Sequence, residues 1–162
     1  MTKLLPYILG LVCCTSLLAC SVDREPCLLP KTTLVRLGAY QIDIAGKAID
    51  SLLPSPMFVA IAQDSLKGLR FQDRTSKFSL TLANHTDSCQ YLLIPDSSIG
   101  TIDTLTFYYQ RRIQFLSNSC GYTFFFQLTN LLSTHHNIDS AIIKNDQINN
   151  DANSPEHVQI YF

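Results

Sequence analysis

Six cysteines and four histidines are the residues of this 162-residue chain best suited to chemistry. A thiol can attack, bind metal or pair, and an imidazole can carry a proton or ligate an ion. Spacing decides among these. His135 and His136 are adjacent, Asp139 follows them, and His85 and His157 stand far away in sequence. A zinc centre needs three or four converging ligands, and neighbouring residues seldom aim at one ion. The pair therefore reads as a polar loop with exposed imidazoles, and neither a metal nor a cofactor is expected. Arg111-Arg112 interrupts an apolar alternation, with Arg111 standing where the inward face should continue. A bend, a bulge or a snorkelling side chain explains it better than a ligand-binding arginine does. No Gly-x-Ser-x-Gly elbow, His-Glu-x-x-His pair or phosphate-cradling glycine loop occurs. The sequence holds no set of residues that specifies a reaction.

The cysteines say more. Lys3 precedes an apolar run from Leu4 to Ala19 that contains Pro6 and Gly10 and ends in Leu17-Leu18-Ala19-Cys20. Such a run is short for a membrane span, which needs about 20 residues, and reads as an export signal covering residues 1–19. Its last four letters resemble the lipobox of bacterial lipoproteins, with Leu18 bulkier than the usual residue there. The resemblance implies cleavage before Cys20, lipid (palmitate among the chains) on its thiol, and stable attachment to a membrane. Residues 20–26 would be the lipid-bearing tether. Cys13 and Cys14 leave with the signal, so Cys27, Cys89 and Cys120 remain. An exported chain meets an oxidising compartment, and one disulfide is expected. Cys27 with Cys120 is favoured because each sits beside a strand end, and Cys89 with Cys120 is the alternative.

The chain left after the signal is long enough for one compact domain, residues 27–162. Without Lys3 it carries 11 basic against 13 acidic residues, a balance that offers no footprint for nucleic acid. Apolar residues are plentiful and charged ones few, which argues against disorder.

The elements that must position these residues are strands. From Asp103, Leu105, Phe107, Tyr109, Ile113 and Phe115 alternate with mostly polar neighbours. After Ser117-Asn118-Ser119-Cys120-Gly121, a second alternation places Tyr122, Phe124, Phe126 and Leu128 on one side. Period two on both sides of a turn predicts a long antiparallel hairpin at the centre of the fold. Before it come a first strand over 32–44 with a bulge or bend at Gly38, short strands near 57–63 and 66–72, a half-buried strand with Phe78, Leu80 and Leu82, and another from Cys89 to Ile94. After it come a connection over 130–137, a strand near 138–144, an Asn/Asp-rich loop and a last strand ending at Phe162. No stretch outside the signal sustains a 3.6-residue period. The expected fold is all-β, a single antiparallel β-sandwich of immunoglobulin-like layout, with a partly closed barrel as runner-up.

Cys27 leading into Thr32-Thr33, the Asp103-Thr104-Leu105-Thr106 stretch, Ser119-Cys120-Gly121-Tyr122, the Thr134 to Asp139 approach and the closing Glu156-His157-Val158-Gln159-Ile160-Tyr161-Phe162 together resemble a family of uncharacterised Gram-negative lipoproteins grouped as a domain of unknown function. The resemblance implies the Cys27 to Cys120 pair and an envelope address, with outer-membrane attachment through Cys20 on the periplasmic or the surface face. It implies no activity. A Cys27–Cys120 bond would put the hairpin turn near the membrane and residues 95–102 and 130–137 at the far end. Ile99, Leu131, Leu132, His135 and His136 then become the candidate contacts for an envelope protein or glycan. The expected function is non-enzymatic binding or scaffolding, and the competing class is an enzyme acting on an envelope polymer. Asp-Ser and Asp-Thr triplets such as Asp50-Ser51-Leu52 and Asp103-Thr104-Leu105 resemble O-glycosylation acceptors, although these pairs also serve as ordinary turn residues.

Overall fold

The computed structural model describes residues 26–61, 68–70, 74–98 and 100–162, with backbone alone at 68–70. Among the described residues the chain forms strands β1 (Val35–Ile42), β2 (Ala48–Asp50), β3 (Met57–Ile61), β4 (Gly68–Arg70), β5 (Lys77–Leu80) and β6 (Ser88–Ile94). They continue as β7 (Asp103–Ser117), β8 (Gly121–Ser133), β9 (Ser140–Ile143), β10 (Gln147–Ile148) and β11 (Val158–Tyr161). One sheet runs β2-β1-β11-β9, with β5 also paired to β1, and the other runs β10-β8-β7-β6-β3-β4. Every pairing is antiparallel except β1 with β11, so the two ends of the described fold lie side by side in one direction. The expected all-β sandwich is what forms, with one parallel ladder inside it.

Alternation explains the core. Val35, Leu37 and Ala39 of β1, Phe78 and Leu80 of β5, and Val158 and Ile160 of β11 turn one face inward. They meet Phe58, Tyr91, Leu93, Leu105, Phe107, Tyr109, Phe126 and Leu128 from the other sheet. Phe58 and Phe78 touch across the gap, their rings 5.0 Å apart. Full burial of one such side chain contributes about 1.5–3 kcal/mol. The buried phenols need acceptors, and they find them in the segment after β5. Tyr91 Oη donates to the Thr81 carbonyl at 2.5 Å and Tyr109 Oη to the Ala83 carbonyl at 2.9 Å.

Three expectations are corrected. Gly38 does not break β1, because it pairs with Gln159 on one edge and Lys77 on the other. What the position requires is space, since a Cβ there would collide with the Glu156 carboxylate. Residues 130–133 are not a connection. The hairpin ladder continues to Leu105 opposite Ser133, past a register shift between Tyr108 and Tyr109 that leaves Thr129 as the extra residue. Leu131 and Leu132 are thus strand residues. Finally, alternation outlives burial, for Ile113, Phe115 and Tyr122 stay exposed.

Candidate functional site

The hairpin β7–β8 has two ends with different chemistry. At the turn, Cys120 is bonded to Cys27, 93 residues away. Gly121 closes the turn with φ +73°, a left-handed conformation that glycine adopts without strain. Ser117 Oγ accepts the Cys120 N–H, and Thr123 Oγ1 donates to the Lys31 carbonyl. Asn150 Nδ2 donates to the Pro30 carbonyl, so the segment leading from Cys27 is pinned beside the turn. Cys89 is free and half-buried at β6, where it pairs with Phe107, and burial pushes its thiol pKa up. Its alternative pairing with Cys120 is not the one formed.

At the far end the Asp103 side chain is fully buried. Oδ1 accepts from Thr134 Oγ1 at 2.7 Å and from the His136 N–H at 2.8 Å, while Oδ2 accepts from the Asn137 N–H at 2.7 Å and Asn137 Nδ2 at 3.1 Å. Burial alone would raise the carboxyl pKa, but the bonds from His136, Thr134 and Asn137 outweigh it and hold the group below the usual carboxylate range. Of the two sequence-predicted histidines, His136 belongs to this cradle and His135 stands beside it. His136 Nδ1 lies 3.3 Å from Asp103 Oδ1, and His135 Nδ1 lies 2.9 Å from the Ile138 carbonyl. Both rings are exposed, as expected for a polar loop. Among the described residues no three His, Cys, Asp or Glu side chains are grouped to hold a metal.

The predicted contact residues do not form one loop tip. Leu131 points inward and packs partly buried against the core, whereas Leu132 is 52% exposed on the outer face. Ile99 and Cys20 lie outside the described residues. Leu132 stands in a row with Thr106, Gln90 and Ile61, and the next row holds Thr104, Leu92 and Val59. Tyr108 and Ile102 are exposed near them. The side chains of these two rows carry no charge, and Leu132, Ile61, Leu92 and Val59 among them are apolar. Of the acceptor-like triplets, Asp103-Thr104 opens a strand with its carboxylate buried.

Two features escaped the sequence. On the outer face of the first sheet, Lys77 Nζ donates to Tyr40 Oη at 2.6 Å and to Asp50 Oδ1 and Glu156 Oε2 at 3.1 Å each. It also lies 4.4 Å from the Tyr40 ring centre. Burial alone would lower the ammonium pKa, but bonds to Tyr40, Glu156 and Asp50 raise it, so Lys77 is a fixed cation. The groove beside it, about 600 Å³, also takes in Arg36 and Gln159. A second, about 380 Å³, runs along Gln110, Arg112, Phe125 and Gln147. The other feature is His157, fully buried, whose Nδ1 accepts the Arg36 N–H at 2.9 Å. That bond fixes the proton on Nε2, which meets no acceptor at full hydrogen-bond geometry among the described residues; burial lowers the ring's pKa, the nearby Gln147 backbone opposes this and Arg36 adds to it. Neither feature has a local signature, since the partners of Lys77 lie 27 to 79 residues away.

No curated protein and no solved structure matches this chain. One family does, over residues 57–162, a span that takes in Cys120, the Asp103 cradle and the His157 strand and leaves Cys27, β1 and β2 before it. That span is well over half the sequence, and the chain belongs to the family of unknown function DUF6452.

Proposed function

We propose that the chain is a lipoprotein of the bacterial cell envelope, anchored through palmitate-containing lipid on Cys20 to the outer membrane, and that it acts as a non-enzymatic binding or scaffolding module. The observation that carries the binding part is the outer face at the far end of the hairpin. Leu132, Tyr108 and Ile102 are exposed there beside half-buried Val59, Ile61 and Leu92, and the Asp103 cradle fixes the adjoining loop with His135 and His136. A sheet face mixing apolar side chains with Thr104, Thr106 and Gln90 suits docking to an envelope protein better than it suits a buried small molecule.

The competing reading, an enzyme on an envelope glycan, would look first to the Lys77 groove. A general base needs a pKa near the working pH. Lys77 is driven the other way by three oxygen partners, which weakens that reading. The test is affinity purification of the native chain from mild detergent, with Leu132→Glu and Cys20→Ser forms alongside. A stoichiometric protein retained by the native form and lost with Leu132→Glu supports docking. Equal retention by both would remove this face from consideration, and a native chain purifying alone would turn attention to a glycan.

A further inference from the structure

We infer that the turn end of the β7–β8 hairpin seats in the lipid surface, as a second membrane contact beside the lipidated cysteine; the inference rests on the anchoring proposed above. The hairpin outruns the sandwich. Pairing of β6 to β7 ends at Tyr108, and β10 covers only Phe126 and Gln127 of β8. From Arg112 and Phe125 to the turn the arm is two strands wide among the described residues. A two-stranded ribbon is marginal in water unless something packs on it, and the segment from Cys27 to Lys31 flanks this one only at its turn. Its inward side continues the row that forms the core, and past Tyr109 and Phe126 that row becomes Ile113 and Phe124, then Phe115 and Tyr122. Ile113 is 64% and Tyr122 68% exposed, and the Phe115 and Tyr122 rings meet at a tilt, 5.2 Å apart. Leu28 and Leu29, next to the disulfide, are exposed at the same end.

Three observations favour a lipid surface as the occupant. The first is reach. Only residues 21–26 separate Cys20 from Cys27, and seven extended steps span at most about 25 Å, so the turn bonded to Cys27 stays close to the bilayer. The second is charge. No acidic residue occurs between Asp103 and Asp139, and the arm's own ionic groups are Arg111 and Arg112, with Lys31 exposed beside it. Arg111 is held at the base of the arm by Asp87, and beyond that pair neither strand of the hairpin offers a carboxylate to repel phosphate headgroups. The third is composition. Ile, Leu and Phe beside a Tyr with a polar tip form the set that settles at the boundary of headgroups and acyl chains.

The chain has no tryptophan, so a single introduced one reports alone. Full-length Tyr122→Trp and, as a far-end reference, Leu132→Trp would be expressed, checked for N-terminal lipid by mass spectrometry, and reconstituted into phosphatidylcholine–phosphatidylglycerol vesicles with and without brominated acyl chains. Both sites are exposed strand positions that accept an aromatic ring. The expected result is blue-shifted emission from the Tyr122→Trp form that brominated lipid quenches, beside emission from the Leu132→Trp form that it leaves unchanged. A lipidated Tyr122→Trp protein that stays unquenched would overturn the seated tip and leave the anchor standing. Equal quenching at both sites would overturn it too, since the domain would then lie flat. A chain without lipid would overturn the anchor and, with it, the seated tip.

Discussion

Replacing Asp103 with Asn is the sharpest test of how the far end of the hairpin is held. Asn has the same shape but one acceptor oxygen where the carboxylate has two. If that oxygen keeps Thr134 Oγ1 and the His136 N–H, the new amide faces the Asn137 N–H and Nδ2. Two bonds to a charged group are lost and donors are set against donors in a site closed to water. Hydrogen bonds to charged groups contribute about 1.5–3 kcal/mol each, and they are not additive when they share one group, so a loss of about 3 kcal/mol is expected. That is a large share of the about 5–15 kcal/mol of a typical domain. The sign of the pH dependence follows from the lowered pKa. The carboxylate's contribution is fully present above its unfolded pKa, about 3.9, and is lost as pH falls through the lower folded value. Urea unfolding from neutral pH down into the acid range should show native and Asp103→Asn chains far apart at neutral pH and converging below about pH 4. A gap below about 1 kcal/mol at neutral pH, or one that does not close in acid, would refute the cradle as a stabilising device.

The remaining predictions touch other parts of the fold. Removing the disulfide by Cys27→Ala with Cys120→Ala should cost about 4–5 kcal/mol by loop-closure entropy, and dithiothreitol should lower the urea midpoint of the native chain to that of the double variant. His157 is buried neutral with its pKa lowered, so the unfolded chain takes up a proton that the folded one refuses. Stability should therefore fall as pH drops below about 6.5, by at most about 1.4 kcal/mol per pH unit, and His157→Gln should remove that slope while leaving the acid limb of Asp103 in place. Gly38→Ala should displace both the Glu156 carboxylate and the edge of the Tyr40 ring, and with them the bonds to Lys77; the cost should be about 1–3 kcal/mol, read by thermal unfolding, and a Lys77→Met background should shrink it without abolishing it.

Local periodicity made the hairpin legible, because Leu105, Phe107 and Tyr109 on β7 and Phe126 and Leu128 on β8 carry the alternation that a buried face imposes. The same signal could not say where the opposing sheet stops, so Ile113 and Tyr122 looked as inward as Phe107. Asn130 and Ser133 read as a connection because they are polar, yet the extra residue at Thr129 lets the ladder resume beyond it. Gly38 read as a break because glycine weakens strands in general. In this chain β1 is held on both edges and the glycine makes room for Glu156. Sites built from distant parts left no trace. Asp103 gathers donors 31 to 34 residues away, and an Asp before a Thr looks like a turn from sequence alone.

These pieces bear on one another through the length of the hairpin. About a dozen residues of β8 separate the turn from Leu132, which at about 3.4 Å per residue is about 40 Å. A ladder of that length keeps its far end at a fixed height only if both ends are fastened. At the turn the covalent bond to Cys27 and the Thr123 and Asn150 bonds do this, and at the far end the Asp103 carboxylate does. Loosening either end should then act on docking without touching the docking face. Asp103→Asn, with Leu132 intact, should weaken retention of a partner that Leu132→Glu abolishes, because the loop of His135 and His136 is freed. Retention unchanged by Asp103→Asn in a chain shown by urea unfolding to be destabilised would mean that the face works without its cradle, and that the buried carboxylate serves folding alone.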